Sequence, residues 1–153
     1  MCNKNEILDM VDNDDNVITS KNRKDIELEK EKNIRSVNML ICNEKRELWI
    51  PKRANNKKYY PLCLDFSAGG YVKSGESYSQ AITREVKEEL NINLEDHQFE
   101  ITGYYSPYKH FVSCFMTVYI MRSNLVPHYN KLDFISYDWY EPENIVDMFA
   151  MGV

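Results

Sequence analysis

The chain has 153 residues, of which 43% are hydrophobic and 28% charged, a composition typical of one globular domain and not of a disordered chain. No window approaches the roughly 20 apolar residues of a membrane helix, so we expect no membrane partner. The net charge of −5 at pH 7 argues against a stable nucleic-acid partner, because binding a phosphate backbone needs a concentrated basic face. Phosphate-containing substrates remain compatible with this charge if a cation stands between them and the protein.

The first residues and the cysteines predict a cytoplasmic protein. Residues 1–10 are charged and lack the apolar run of a secretory signal. The cysteines are far apart, with no CxxC pair and no zinc-ligand spacing. They are Cys2, Cys42, Cys63 and Cys114. We expect free thiols in a reducing compartment.

The first half of the chain predicts two hairpins. Residues 7–21 contain two short strands joined by a turn at Asp12 to Asn16, and residues 36–53 contain a second hairpin. Between them, residues 23–32 are polar almost throughout and indicate a short exposed helix or turn. A later strand-like run is interrupted by Gly69 and Gly70, where the missing side chains let backbone approach a ligand closely.

The best-defined element is a helix that begins after Ser77. Ser77 and Gln80 form a capping box, good helix formers follow, and Asn91 can adopt the left-handed C-cap conformation. Three later runs rich in Tyr, Phe, Val and Ile predict strands, and Pro142 begins a closing helix. The order predicts an α/β (α+β) fold, a mixed β-sheet sandwiched between helices, in a single domain covering residues 1–153.

Three glutamates crowd one face of this helix. At about 100° per residue, Glu85, Glu88 and Glu89 share an arc of about 100°, beside an apolar seam that includes Val86 and Leu90. Like charges at this spacing repel, and acids in the last turns also oppose the helix dipole. A solvated charged face is the plain interpretation. Because the acids lie beside a buried seam, a bound divalent cation such as Mg²⁺ is the alternative that resolves the conflict.

The spacing around these acids resembles the signature of the Nudix family, GX5EX7REUXEEXGU, where U is a large aliphatic residue. Gly70, Glu76 and the run "REVKEE" at residues 84–89 match it, as does Ile92. The one departure is Asn91 in place of Gly, and Asn tolerates the same cap conformation. The resemblance places the Nudix box at residues 70–92 and implies the Nudix fold.

Residues 53–77 also resemble the isopentenyl-diphosphate-isomerase-like branch of that family. Arg53, Lys57, Asp65 and the paired glycines fall on its pattern, and the hairpin at about 7–21 is similar to its opening strands. Gly69 stands where the isomerase carries its catalytic cysteine. The resemblance therefore favours a hydrolase over an isomerase.

The family resemblance implies hydrolysis of a diphosphate linked to another moiety X, by attack of water on phosphorus with bound Mg²⁺ or Mn²⁺. It makes Glu85, Glu88 and Glu89 the catalytic metal ligands, one of which also acts as base, and it brings the Gly70 carbonyl near the metal. Glu76 and Arg84 are expected to pair and hold the loop against the helix. Arg53 and Lys57 are candidates for binding the substrate's phosphates, with ordinary surface cations as the alternative. Asp133 falls where many members of the family carry a further acid over the site.

Two other interpretations stay open at this point. A catalytically silent Nudix domain would bind or sense a phosphorylated metabolite, and a purely structural acidic helix would bind no metal. Neither the moiety X nor the oligomeric state follows from the sequence, although a homodimer is compatible with its strands.

Overall fold

The computed structural model describes residues 6–150 of the chain, in eight strands and three α-helices. The strands are β1 (Ile7–Val11), β2 (Val17–Asn22), β3 (Arg35–Cys42), β4 (Leu48–Arg53), β5 (Ala68–Tyr71), β6 (Phe99–Tyr105), β7 (Phe115–Arg122) and β8 (Phe134–Tyr140). The helices are α1 (Arg23–Glu29), α2 (Tyr78–Leu90) and α3 (Pro142–Ala150), with one 3₁₀ turn at Leu94–Asp96. The polar segment after the first hairpin is thus helical.

Six strands form the main sheet, in the order β6-β7-β3-β4-β8, with β5 paired to β3. β3 and β7 run parallel from the Arg35–Phe115 pair to the Cys42–Arg122 pair, whereas the other pairings in this sheet are antiparallel. The sheet is therefore mixed, as the sequence predicted. The strand-like run predicted around Gly69 and Gly70 forms only the short strand β5. The preceding residues 54–67 form a loop with one isolated bridge, Lys52 to Leu64.

Helix α2 covers one face of the main sheet. Its apolar seam is fully buried and packs in one core cluster with Val37, Met39 and Ile41 of β3. Ser77 accepts a hydrogen bond from the Gln80 amide while the Gln80 side chain accepts one from the Ser77 amide, so the predicted capping box is present. Asn91 has φ 57° and closes the helix in the predicted left-handed conformation.

The β1–β2 hairpin is a separate two-stranded sheet that docks on the main body. Leu8 and Met10 join a second buried cluster with Ile26 of α1, which is 2% exposed. The prediction of a short exposed helix or turn at residues 23–32 therefore needs correction at Ile26, because the hairpin brings α1 against the core. At the hairpin turn, Asp15 accepts hydrogen bonds from Arg35 Nε at 2.6 Å and from the Tyr104 hydroxyl at 2.7 Å.

Three cysteines in the described part of the chain are free thiols, namely Cys42, Cys63 and Cys114, as predicted, while Cys2 lies outside it. No helix among residues 6–150 is long and apolar enough to span a membrane.

Candidate active site

The three glutamates of α2 lie at the border where the helix meets β5, and they differ in burial. Glu85 is 9% exposed, Glu89 is partly buried, and the Glu88 side chain is 57% exposed. The Gly69 amide donates a hydrogen bond to Glu89 Oε2 at 3.0 Å, which joins the helix to β5. The acidic face therefore runs from the protein interior to solvent within two turns of the helix.

The absence of a side chain at Gly70 lets β5 approach Glu85 closely. A Cβ built on Gly70 would lie 2.5 Å from the carboxyl carbon of Glu85, far inside van der Waals contact. Only glycine accommodates this arrangement without displacing the carboxylate. The structure thus brings the first residue of the signature against the first acid of the helix.

Arg84 lies at the centre of the polar contacts around the site. Its Nε and one terminal nitrogen donate to the Glu76 carboxylate at 2.8 and 2.9 Å, a bidentate geometry. The guanidinium also donates to the Tyr71 carbonyl at 3.0 Å and to Glu85 at 2.5 Å, and Glu88 lies 3.8 Å away. Arg84 therefore ties the loop before α2 to the helix, in the pairing with Glu76 that the resemblance implied.

The carboxylates are short of compensating positive charge. Burial raises the pKa of Glu85, Arg84 opposes that rise, and the charges of Glu88 and Glu6 add to it. Burial also raises the pKa of Glu89 to about 8, with a further contribution from the charge of Glu85. Among residues 6–150, no three His, Cys, Asp or Glu side chains already converge as a metal site.

The donor set nevertheless fits a hard divalent cation. Carboxylate oxygens are the ligands that Mg²⁺ and Mn²⁺ take from proteins. None of the ion pairs among the described residues includes Glu89. Glu88 has one distant cationic partner, Arg84, at 3.8 Å. Glu85, Glu88 and Glu89 are the residues that would hold the ion. A cation there would oppose the rise in the pKa values of Glu85 and Glu89.

Replacing Glu89 by Gln is expected to stabilise the protein above pH 7 when EDTA is present. Because the folded-state pKa is raised from 4.5 to about 8, the stability present below pH 4.5 is lost as the pH rises towards 8. Gln keeps the acceptor for the Gly69 amide but carries no charge. We expect Tm to rise by about 3 °C or more at pH 8.5, at roughly 2–4 °C per kcal/mol.

Differential scanning calorimetry at pH 5.0 and 8.5 measures this effect. At pH 5.0, close to the unfolded-state pKa of 4.5, the difference in Tm should be much smaller than at pH 8.5. Saturating Mg²⁺ at pH 8.5 should raise Tm of the wild type more than that of the variant. Equal Tm values for variant and wild type in EDTA at both pH values would contradict the assigned environment of Glu89.

Arg53, Lys57 and Asp133, which the sequence marked as substrate-binding candidates, take part in ion pairs beside the acidic helix. Arg53 pairs with Asp65 and also donates to the Tyr59 carbonyl at 3.1 Å. Lys57 pairs with Asp133, which is 8% exposed. Both aspartates contribute to the raised pKa of Glu89, which places these pairs near it. A substrate phosphate would compete with carboxylates for Arg53 and Lys57.

A second group of charged residues lies beside Tyr71 at the end of β5, and the sequence did not predict it. The Arg23 guanidinium lies 4.7 Å from the centre of the Tyr71 ring, and Glu27 accepts from Arg23 at 3.0 Å and from Lys58 at 2.6 Å. These contacts tie α1 to the loop after β4. The alternating charges of residues 23–32 are the only sequence signal, and they are typical of any solvated helix.

The sequence is similar to a known protein family and to two of its members over most of its length. A model of the NUDIX domain matches residues 32–151. An uncharacterized Nudix hydrolase from Nostoc is 44% identical over 147 residues, covering 96% of this chain and 87% of that protein. A Nudix hydrolase from Deinococcus radiodurans is 37% identical over 147 residues, covering 96% and 85%.

Solved structures give the same picture of the fold. A crystal structure of a Deinococcus radiodurans protein superposes with a TM-score of 0.92 at 37% identity, covering 96% of this chain and 90% of that one. The MutT protein of Methanosarcina mazei superposes with a TM-score of 0.59 at 26% identity, covering 75% and 81%.

Proposed function

The chain belongs to the Nudix family of hydrolases acting on phosphorus-containing anhydrides, and from this premise we propose that it is a divalent-metal-dependent pyrophosphohydrolase. Its substrate is a small-molecule diphosphate linked to another moiety X, such as a nucleoside diphosphate derivative, cleaved by attack of water on phosphorus. The observation that carries the proposal is the close packing of Gly70 on Glu85, beside two further carboxylates that lack sufficient positive charge.

In this proposal Glu85, Glu88 and Glu89 hold Mg²⁺ or Mn²⁺, with the Gly70 carbonyl nearby. A divalent ion bound there would neutralise charge on the diphosphate oxygens and make a bound water more acidic. One glutamate also takes the proton from that water.

Glu76 and Arg84 support the site in this proposal and do not touch the reacting atoms. Their bidentate pair holds the loop before α2, and the hydrogen bond from Arg84 to Glu85 orients the Glu85 carboxylate. Arg53 and Lys57 bind substrate phosphate by exchanging their present partners, and Asp133 stays near Glu89 as a further acid.

Phosphate release from a substrate panel tests the proposal. The protein is incubated with nucleoside diphosphate-X compounds and nucleoside triphosphates, with Mg²⁺ or EDTA, and released phosphate is measured after coupling to a phosphatase. We expect release from one compound class that EDTA abolishes. Release that continues unchanged in EDTA would contradict metal-dependent hydrolysis.

A catalytically silent domain that binds or senses a phosphorylated metabolite is the second candidate. The contact between Arg84 and Glu85 favours it, because an internal cation already compensates one of the acids. Diphosphate compounds that bind in calorimetry and are never cleaved would support this candidate.

An isomerase of the isopentenyl-diphosphate type is a weaker candidate, although we propose that the chain is related to that branch. Gly69 occupies the position of the catalytic cysteine, Cys114 is buried, and Cys63 lies in the loop after β4.

The cytoplasmic location and a homodimer stay predictions.

A further inference from the structure

We propose that Asp9, on the N-terminal hairpin, is a positioning residue for the active site. It acts by holding the loop between β5 and α2, residues 72–77, in the conformation that the acidic helix needs. Asp9 lies outside residues 32–151, the segment matched by the family model. The inference rests on the proposed metal-dependent hydrolase, and its test separates the two.

Asp9 fixes the loop at two adjacent residues. Its Oδ1 accepts a hydrogen bond from the Ser74 hydroxyl at 2.6 Å, and its Oδ2 accepts one from the Gly75 amide at 3.0 Å. The backbone adds the bond from the Ser74 amide to the Ile7 carbonyl at 2.9 Å and a bridge between Leu8 and Lys73. β1 therefore acts as a template along one side of the loop.

The loop needs such an external template at its tip. Gly75 has φ 80°, and a Cβ placed there would meet nothing within 4 Å. The Glu76 amide bonds to the Lys73 carbonyl at 3.0 Å across this turn. The glycine itself does not fix the turn, because glycine adopts left-handed and right-handed conformations with similar ease. The carboxylate of Asp9 selects one of them.

A continuous series of contacts leads from this loop to the metal-binding face. Glu76 Oε2 accepts the Lys73 amide at 3.0 Å and binds Arg84, whose guanidinium also binds Glu85. A change in the turn at residues 73–75 moves Glu76. Arg84 then loses its bidentate partner, and Glu85 loses the orientation that it has against β5.

Burial makes a purely space-filling role a poor account of Asp9. It is 8% exposed, between Leu8 at 1% and Met10 at 5%. An apolar residue there would avoid the cost of removing a carboxylate from water. None of the ion pairs among the described residues includes Asp9, so its hydrogen bonds go to the loop and not to a cation.

The variant Asp9→Asn tests the proposal, with Asp12→Asn as the matched control. Asn cannot accept the Ser74 hydroxyl and the Gly75 amide with two carboxylate oxygens, so the loop is released. Asp12 accepts hydrogen bonds from Asp14 and Asn16 within the turn of the same hairpin, at 2.9 Å each, so its replacement weakens the hairpin without touching the loop.

Two readouts need no substrate: amide exchange of Gly75 by NMR and the Kd for Mn²⁺ alone, measured well below Tm. For Asp9→Asn we expect exchange at Gly75 to quicken by about tenfold, and Mn²⁺ Kd to weaken by about tenfold, in the range found when residues that orient metal ligands are replaced. kcat should fall while KM changes by less than about threefold. Asp12→Asn should lower Tm but keep the wild-type Mn²⁺ Kd.

Each outcome decides one of the two proposals. A wild type that binds no Mn²⁺ overturns the metal-dependent function itself. If the wild type binds Mn²⁺ and folded Asp9→Asn binds it equally well, the role of Asp9 is overturned and the proposed function stands. If Asp9→Asn does not fold, Ser74→Ala replaces it, since Ser74 is exposed and loses one hydroxyl; unchanged Mn²⁺ Kd in that variant also overturns the role.

Discussion

Replacing Glu88 by Gln is expected to lower kcat/KM by about 10²–10³-fold, while Tm in EDTA stays within about 1–2 °C of the wild type. The side chain is 57% exposed and only 3.8 Å from Arg84 at its nearest, so the fold depends little on its charge. The reaction depends on that charge if Glu88 holds the cation, because an amide is a poorer ligand for a hard ion.

Steady-state kinetics with Mg²⁺ and thermal unfolding in EDTA measure the two halves of this prediction. Glu100→Gln is the matched control, since that carboxylate is 70% exposed and lies on β6, the strand at one edge of the main sheet. We expect it to keep wild-type activity. An active Glu88→Gln enzyme would remove Glu88 from the metal site.

Replacing Gly70 by Ala is expected to lower kcat by about 10²-fold, with a modest loss of stability. The new methyl group overlaps the Glu85 carboxylate, which is the end of a flexible side chain and can move aside. Overpacking of this kind costs about 1–3 kcal/mol. The fold therefore survives, while the displaced carboxylate no longer faces the cation.

Gly69→Ala provides the contrast for Gly70→Ala. A Cβ on Gly69 would lie 2.7 Å from the Val37 carbonyl oxygen, which belongs to the backbone of β3 and cannot move independently. We expect this variant to lose more stability than Gly70→Ala. Kinetics and denaturant unfolding of both variants test the pair, and equal loss of stability together with equal loss of activity would contradict the distinction.

The elements that the sequence predicted correctly are those fixed by local chemistry. The capping box at Ser77 and Gln80 and the left-handed C-cap at Asn91 depend on residues a few positions apart, and both are present. The connection between β3 and β4, residues 43–47, lies inside the hairpin predicted at residues 36–53, and Arg46 there has φ 67°. Helical periodicity likewise placed the three glutamates on one face.

The contacts that the sequence did not predict join residues far apart in the chain. The bond from Ser74 to Asp9 spans 65 residues, and that from Tyr104 to Asp15 spans 89. An aspartate inside an apolar strand, such as Asp9 in β1, predicts a buried polar partner, but the sequence does not show which residue that partner is. The same limit applies to Ile26, which is buried only because the hairpin docks on the core.

The proposed divalent cation on the acidic helix is tested most directly by anomalous scattering from crystals grown with Mn²⁺. We predict a peak at about 2.2 Å from carboxylate oxygens of Glu85, Glu88 and Glu89, the distance expected for oxygen ligands of this kind of ion. Ordered carboxylates with no peak at millimolar Mn²⁺, and with Arg84 still bound to Glu85, would contradict it.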